Sequence, residues 1–513
     1  MKQEHHPPPY NPTTVALPLN SLLGGPENWI RRIMTSRPTI NTFDVFDTLI
    51  ARRCVFPLAI FALVERKTAI TGFAQARRQA EQKLLGRPYS FDDIYTELGK
   101  SFGVTYDNIN LLKETEIEME MENVIPIQEN MDRVNDGDIL ISDMYLPETI
   151  IRGLLSKAGL RKEVALIVTN YGKHDGYIWK HILSDFSIRK HLGDNTHADG
   201  FRAREAGIET EITTSSQISA FEKIFFDIGF TALGELCREV RLKSWSAVAH
   251  ERELQVTQIH MNFPILFFSS IILYKICKKL GKTRILFSSR DCHLWQKLFE
   301  AMFPGEFECI YYYTSRYAKT SGSKSYDQYS DRLITSQTMV VDLCGSGWSL
   351  EKMSESLSLD KIDVFFIHKM PKDRKYMQKS LSNKCNFFCV IENELSSYRN
   401  HLLEIANFSD HSMVKDIKSV NNAHCPIFFP ETRSKEELSY VGIQIKTFNE
   451  CIIKTRELNI NDIIIHNASV HINIIQVFYK FLSGNSILHN VYAQNFFNEN
   501  AEVENIIAST ALT

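Results

Sequence analysis

Residues 39–53 read TINTFDVFDTLIARR. The first half is apolar and β-branched, interrupted by Asp44 and Asp47, which is the text of a buried parallel strand running into a polar loop. A carboxylate at such a strand end stands where an open α/β sheet gathers its chemistry, because loops from neighbouring carboxyl ends converge on one crevice. Outward from this stretch, helical spacing fills about Phe56 to Glu122 (FAQARRQAEQKLL, FDDIYTELGKSFGV, LKETEIEMEME) and reads as a helical insertion, with Glu114 to Glu122 as a solvated helix face. Strand-like text returns in DILIS (138–142), then an amphipathic helix over 147–158, then EVALIVT (163–169). Strand, helix, strand implies a right-handed crossover and a parallel sheet. A helix over 176–183, a short strand closed by HLGDN (191–195) and a helix FRAREAG ending on Gly207 follow.

Four polar signals therefore fall at predicted strand ends: Asp44 with Asp47 and Thr48, Ser142 with Asp143, Lys173, and Asp194 with Asp199. A carboxylate nucleophile can accept a phosphoryl group and split one hard displacement into two easier ones. Asp44 is placed for that. Two anions repel, so Mg²⁺ is expected between Asp44 and a phosphate oxygen, with Asp194 supplying a second hard oxygen ligand. Lys173 would offset the accumulating negative charge, and Ser142, with Asp143 beside it, would meet phosphoryl oxygens. Asp47 also suits the turn after the strand, and Asp199 also suits a place behind the ion, holding a ligand. His174, His191 and His197 read as surface or loop residues, since Mg²⁺ prefers oxygen.

This order of motifs resembles the haloacid dehalogenase superfamily over roughly Thr39 to Thr210. FDVFDTLI resembles the first motif with Asp44 as nucleophile, LISDM the second with Ser142, NYGKHDG the third with Lys173, and HLGDNTHAD the fourth with Asp194 and Asp199. The resemblance implies a Rossmann-like parallel sheet with helices on both faces, and a helical cap at about 52–125 inserted after the first motif. It implies Mg²⁺ held by Asp44, Asp194, the backbone carbonyl of Phe46 and Asp199. Typical phosphatases of the family place an aspartate acid/base where this chain has Phe46, and an aromatic ring cannot shuttle a proton. Three readings follow: a phosphatase with another proton donor such as Asp47 or His174, a transferase or slow enzyme, or a noncatalytic phosphate-binding adaptor. A metal-independent haloacid dehalogenase, which also carries an aromatic there, is a further alternative. FDVFDTLIARR, ISDMYLP and GDNTHAD, followed by SRDCHLW and SRYAKTSG, are similar to bacterial two-part proteins of surface-polysaccharide synthesis. That likeness implies a phosphorylated sugar or polyol as substrate and glycosyltransferases as partners.

The 513 residues suit two or three domains. We expect a mobile tail over 1–35, the first α/β domain over 36–215, a helical connector over 216–280, a second α/β Rossmann-like domain over 281–393 and a mixed α/β extension over 394–513. The second domain is read from RILFSSRD, FECIYYYTSR, MVVDLCGSG and DVFFIHK, strands that again run into polar loops. Arg290, Asp291, Arg316, Asp342, Gly345 and Gly347 are its candidates for a polar crevice, with glycines that turn tightly after a strand. Fifty-eight basic against 61 acidic residues give −3, which points away from nucleic-acid binding. Ten scattered cysteines lack zinc-site spacing and read as buried thiols of a cytoplasmic protein. Phe263 to Cys277 is apolar but short for a bilayer and reads as a buried helix, so no transmembrane segment is expected.

Overall fold

In the computed structural model Thr39–Asp44 forms β1, the central strand of a five-stranded sheet, and its inner residues are buried because both neighbours and both faces are covered. The structure describes residues 38–170, 172–371, 384–392, 399–420 and 423–492. The tail expected over 1–35 lies outside the described residues. The chain divides after Gln217 into two compact units.

In the first unit, β2 (Ile50–Arg52) pairs antiparallel with β3 (Val124–Pro126), while β4 (Ile139–Asp143), β5 (Ala165–Thr169), β6 (Ser187–Gly193) and β7 (Thr210–Ile212) join β1 in the order β5-β4-β1-β6-β7. All ladders in that sheet are parallel. The chain works outward from β1 to β5 and then resumes on the other side at β6. The reversal between β1 and β6 opens a crevice at their carboxyl ends.

The β2/β3 ribbon is the stem of the helical insertion, whose helices span Pro57–Thr68, Phe73–Gln82, Phe91–Ser101 and Tyr106–Asn123. Ser90 and Asp93 close a reciprocal cap at the third of these, and Thr105 accepts from the Asn108 N–H at the fourth. The acidic run differs from expectation. Glu116 and Glu120, one turn apart, are buried rather than solvated. Each receives a two-point bond from an arginine: Arg77 Nε and Nη2 donate to Glu116 at 2.8 and 2.9 Å, and Arg52 Nε and Nη2 donate to Glu120 at 2.8 Å each. Burial of a carboxylate is tolerated when its oxygens are satisfied in this way.

The second unit contains a parallel sheet of β8 (Arg284–Ser288), β9 (Glu308–Tyr312), β10 (Thr338–Gly345), β11 (Ile362–Lys369) and β12 (Cys385–Glu392), ordered β12-β11-β10-β8-β9. A hairpin of β13 (Val414–Val420) and β14 (Ala423–Phe428) follows. Helices before the sheet (Phe263–Lys279) and after it (Ala468–Ser483) share one apolar core with its strands. The helical run Ala249–Lys279 has 31 residues and is long and apolar enough to cross a membrane by length and composition, although 89% of its apolar window is buried inside the protein. The fold class is α/β, with parallel sheets flanked by helices in both units. All ten cysteines are free thiols, seven of them buried, as a small apolar side chain in a core would be.

Candidate active site

Asp44 ends β1, and the following turn folds back at once: Leu49 and Ile50 N–H both donate to the Val45 carbonyl, and Asp47 adopts a left-handed conformation with φ of 58°. That turn brings Thr48 Oγ1 to 2.9 Å from Asp44 Oδ2, to which it donates. From the loop after β5, Lys173 Nζ donates to Asp44 Oδ1 and lies 2.6 Å from Asp199 Oδ1. Lys173 and Asp44 are both buried. Two carboxylates on either side of one ammonium fix the lysine at the centre of the crevice.

The Lys173 loop is held by Asp143, which accepts from Thr169 Oγ1 and from the backbone N–H groups of Lys173 and His174. The sequence reading put Asp143 among the phosphate contacts; the structure shows its carboxylate bonded to the loop that carries Lys173. Ser142 is buried at the end of β4, beside β1.

Asp194 follows β6, and Asp199 sits in the helical turn Thr196–Phe201 capped by Asn195. Asp199 is fully engaged. Oδ1 faces Lys173 and His191 Nε2 (3.0 Å), and Oδ2 accepts from the Asn195 N–H (3.0 Å). Gly193 makes this possible, because a Cβ at that position would collide with the Asp199 carboxylate. Oxygens of Asp44, Asp194 and Asp199 all lie within 4.8 Å of one another. Among the described residues Asp194 forms no ion pair, so its oxygens face the crevice uncommitted by any lysine or arginine. An all-carboxylate oxygen set with one uncommitted member fits a hard divalent cation such as Mg²⁺.

The electrostatics agree with that fit. Burial pushes the Asp44 carboxyl up to about 7, against the pull of Lys173 and helped by Asp199 and Asp194. Burial, with Asp199 and Asp47, pushes Asp194 up to about 6. Asp199 is also penalised by burial, but Lys173 and His191 outweigh it and hold its carboxyl well below the usual range. Three acidic groups crowd around one cation, and two of them resist ionising until another positive charge arrives.

His191 corrects the sequence reading. It is a fully buried residue of β6, paired in register with Thr42, and its Nδ1 lies 2.9 Å from Thr42 Oγ1 while Nε2 meets Asp199. Burial lowers its affinity for a proton, so it serves as a neutral strut that orients Asp199. Thr42 and Asp44, two residues apart, share a strand face, and that spacing is the signal by which Thr42, which the sequence reading missed, could have been found. His174 and His197 are exposed, as expected, with ring centroids 4.9 Å apart. Phe46 is half-buried beneath the Arg52 guanidinium, which stands 4.8 Å from its ring centroid. Asp47 is half-buried and acts electrostatically on Asp194.

In the second unit, Arg290 and Asp291 follow β8, with Arg290 Nε 3.7 Å from Asp291 Oδ1. Arg316 opens the helix Arg316–Thr320, and Asp342 lies on β10 with its Oδ1 accepting from the Leu343 N–H. Gly345 ends β10; a Cβ there would stand 3.1 Å from the Phe366 ring. Gly347 has φ of 81°, and a Cβ there would strike the Phe387 ring, so turn geometry and packing require this glycine.

No family model matches the chain, and no curated protein matches it. Among solved structures it is similar to a protein described as a HAD-hydrolase, YfnB from Bacillus subtilis, bound to magnesium, with TM-score 0.25 and 18% identity over 38% of this chain and 99% of that one. It is also similar to a protein described as a haloacid dehalogenase-like hydrolase from Bacteroides fragilis, with TM-score 0.23 and 17% identity over 36% of this chain and 91% of that one.

Proposed function

We propose that the first unit is a Mg²⁺-dependent phosphatase or phosphotransferase of the haloacid dehalogenase type, working through an aspartyl-phosphate on Asp44. The carrying observation is one strand-end carboxylate, Asp44, held by Lys173 and Thr48 and facing the oxygens of Asp194 and Asp199 within 4.8 Å. Asp44 and Asp194 would hold the ion, with Asp199 fixed behind them by His191 and Asn195. The ion supplies Lewis-acid charge that lets an anionic substrate approach an anionic nucleophile.

An Asp44 oxygen attacks phosphorus, the bond from phosphorus to the leaving oxygen breaks, and Lys173 offsets the charge on the transferring group. The departing alkoxide needs a proton. Phe46 has none to give, so Asp47, on the same turn, is the assigned donor. Water then attacks phosphorus, the bond to Asp44 breaks and phosphate leaves; an acceptor alcohol in place of water makes the step a transfer. Ser142 donates its hydroxyl to a phosphoryl oxygen. The motif likeness supports a phosphorylated sugar or polyol of bacterial surface-glycan assembly as substrate, in the cytoplasm and alongside glycosyltransferases.

The test is a phosphatase screen with Mg²⁺ on the wild type and Asp44→Asn. The expected result is turnover in the wild type and a loss of about 10⁴-fold or more in the variant. Turnover that survives Asp44→Asn removes the nucleophile. Activity on 2-haloacids that resists EDTA replaces this reading with the dehalogenase, and no turnover together with a stably co-purifying protein replaces it with the adaptor.

A further inference from the structure

Behind the carboxylates of the first unit lies a residue that none of the four motifs includes. Asn130 is 1% exposed, in the short helix Gln128–Met131 that follows the return strand β3. Its Nδ2 donates to the Thr48 carbonyl at 2.8 Å and to Thr213 Oγ1 at 3.2 Å, residues 82 and 83 positions away in the chain. A carbonyl oxygen can only accept, so the orientation of the amide is forced, and both of its hydrogens are engaged. Of the neutral side chains only Asn and Gln offer two such hydrogens from one atom.

Both bonds lead toward the acidic group. Thr48 lies in the turn that closes behind Asp44, and its hydroxyl donates to Asp44 Oδ2 at 2.9 Å. Thr213 follows β7, and its N–H donates at 2.9 Å to the carbonyl of Gly193, the residue before Asp194. Asn130 therefore joins the turn of the first carboxylate to the strand end that carries the second, and oxygens of Asp44 and Asp194 lie within 4.8 Å of one another. The turn also needs a brace, because Asp47 in it has φ of 58°, a conformation that costs energy for a residue with a Cβ. The bonds continue in one direction. With Oγ1 accepting from Asn130, Thr213 gives its proton to Ser215 Oγ at 3.1 Å, and Ser215 gives its own to Glu129 Oε2 at 2.8 Å. A chain of donors that ends on a carboxylate is polarised toward it, which strengthens each bond.

We propose that Asn130 is a positioning residue that sets the gap between Asp44 and Asp194, and with it the affinity of the site for Mg²⁺. The proposal rests on the metal reading given above. Asn130 acts through Thr48 and Thr213 rather than by contact with the ion. Groups that orient metal ligands from behind are worth about 10- to 100-fold in affinity.

The test is calorimetric titration of the full chain with Mg²⁺, beside urea unfolding and hydrogen exchange in EDTA. Asn130→Ala should weaken Mg²⁺ binding about tenfold or more. It should also speed exchange of the Leu49 and Ile50 amides, which donate to the Val45 carbonyl. Thr213→Val removes one hydroxyl at nearly constant shape and should weaken Mg²⁺ less, while Thr213→Ser keeps the hydroxyl and should restore the wild-type affinity. Ile182→Ala, a truncation on the buried face of the helix Tyr177–Asp185, should lower stability and leave Mg²⁺ affinity unchanged. Wild-type affinity in Asn130→Ala overturns the proposal, as does a loss in Ile182→Ala as large as that in Asn130→Ala. A wild type that takes up no Mg²⁺ sinks the metal reading and this proposal together. The expected Mg²⁺ pattern without turnover sinks the phosphoryl-transfer reading alone.

Discussion

Both units place a buried lysine beside an aspartate at the reversal point of a parallel sheet, yet the two lysines are held differently. Lys173 is clasped by Asp44 and Asp199, with Asp194 close by, so acid exceeds base. Lys319 pairs with Asp342 at 3.8 Å, and with Arg290, Arg316, Asp291 and Glu404 in the same cluster three bases meet three acids. The same topology thus gathers an excess of acid in one place and a balanced cluster in the other. Strand order fixes where a crevice lies, and the balance of formal charge fixes what it attracts.

The largest expected effect comes from removing the clasped lysine. Lys173→Met leaves Asp44 and Asp199 buried without their counter-charge and should cost about 3 to 5 kcal/mol in urea unfolding without metal, with much of it restored by Mg²⁺. A loss below about 1 kcal/mol would erase the contrast between the crevices.

Next is the pH dependence of the ion. Asp44 is raised from 3.8 to about 7, chiefly by burial, so without metal the stability it contributes is complete below the unfolded value and is lost as pH rises through about 7. Mg²⁺ needs Asp44 and Asp194 ionised, so its affinity should rise about tenfold or more between about pH 5 and 8, with proton release. Calorimetry in buffers of different ionisation enthalpy measures both, and a flat affinity would separate these carboxylates from the metal.

The smallest effect sharpens the comparison from the other side. Lys319→Met removes an ammonium that pairs with one carboxylate, Asp342, at the longer distance of 3.8 Å, so it should cost less than Lys173→Met by urea unfolding. A loss as large as that of Lys173→Met would make the two lysines equivalent.

Much of this was legible in the sequence. TINTFDVFDTLI announces a buried strand with chemistry at its end, and the structure places Asp44, Lys173, Asp194 and Asp199 around one crevice. Two features were hidden, for the same reason. Glu116 and Glu120 lie on a helix whose charges look solvated until their arginines, 39 and 68 residues away, are seen to fold against them. His191 looks like a loop residue until β6 is paired with β1 and Thr42 comes opposite. Periodicity reports local faces; a buried charge is explained by a partner distant in the chain. The bonds of Asp143 to the Lys173 loop were hidden similarly, since they appear only when β4 and β5 lie side by side.

The ribbon of Ile50–Arg52 and Val124–Pro126 sends the chain out and takes it back at one doorway. With both posts pinned, lengthening or rewriting the segment between them adds little closure entropy and leaves the register of β1 untouched. The four-helix segment is therefore an exchangeable module, free to drift toward new molecules while the chemistry beneath it keeps its geometry.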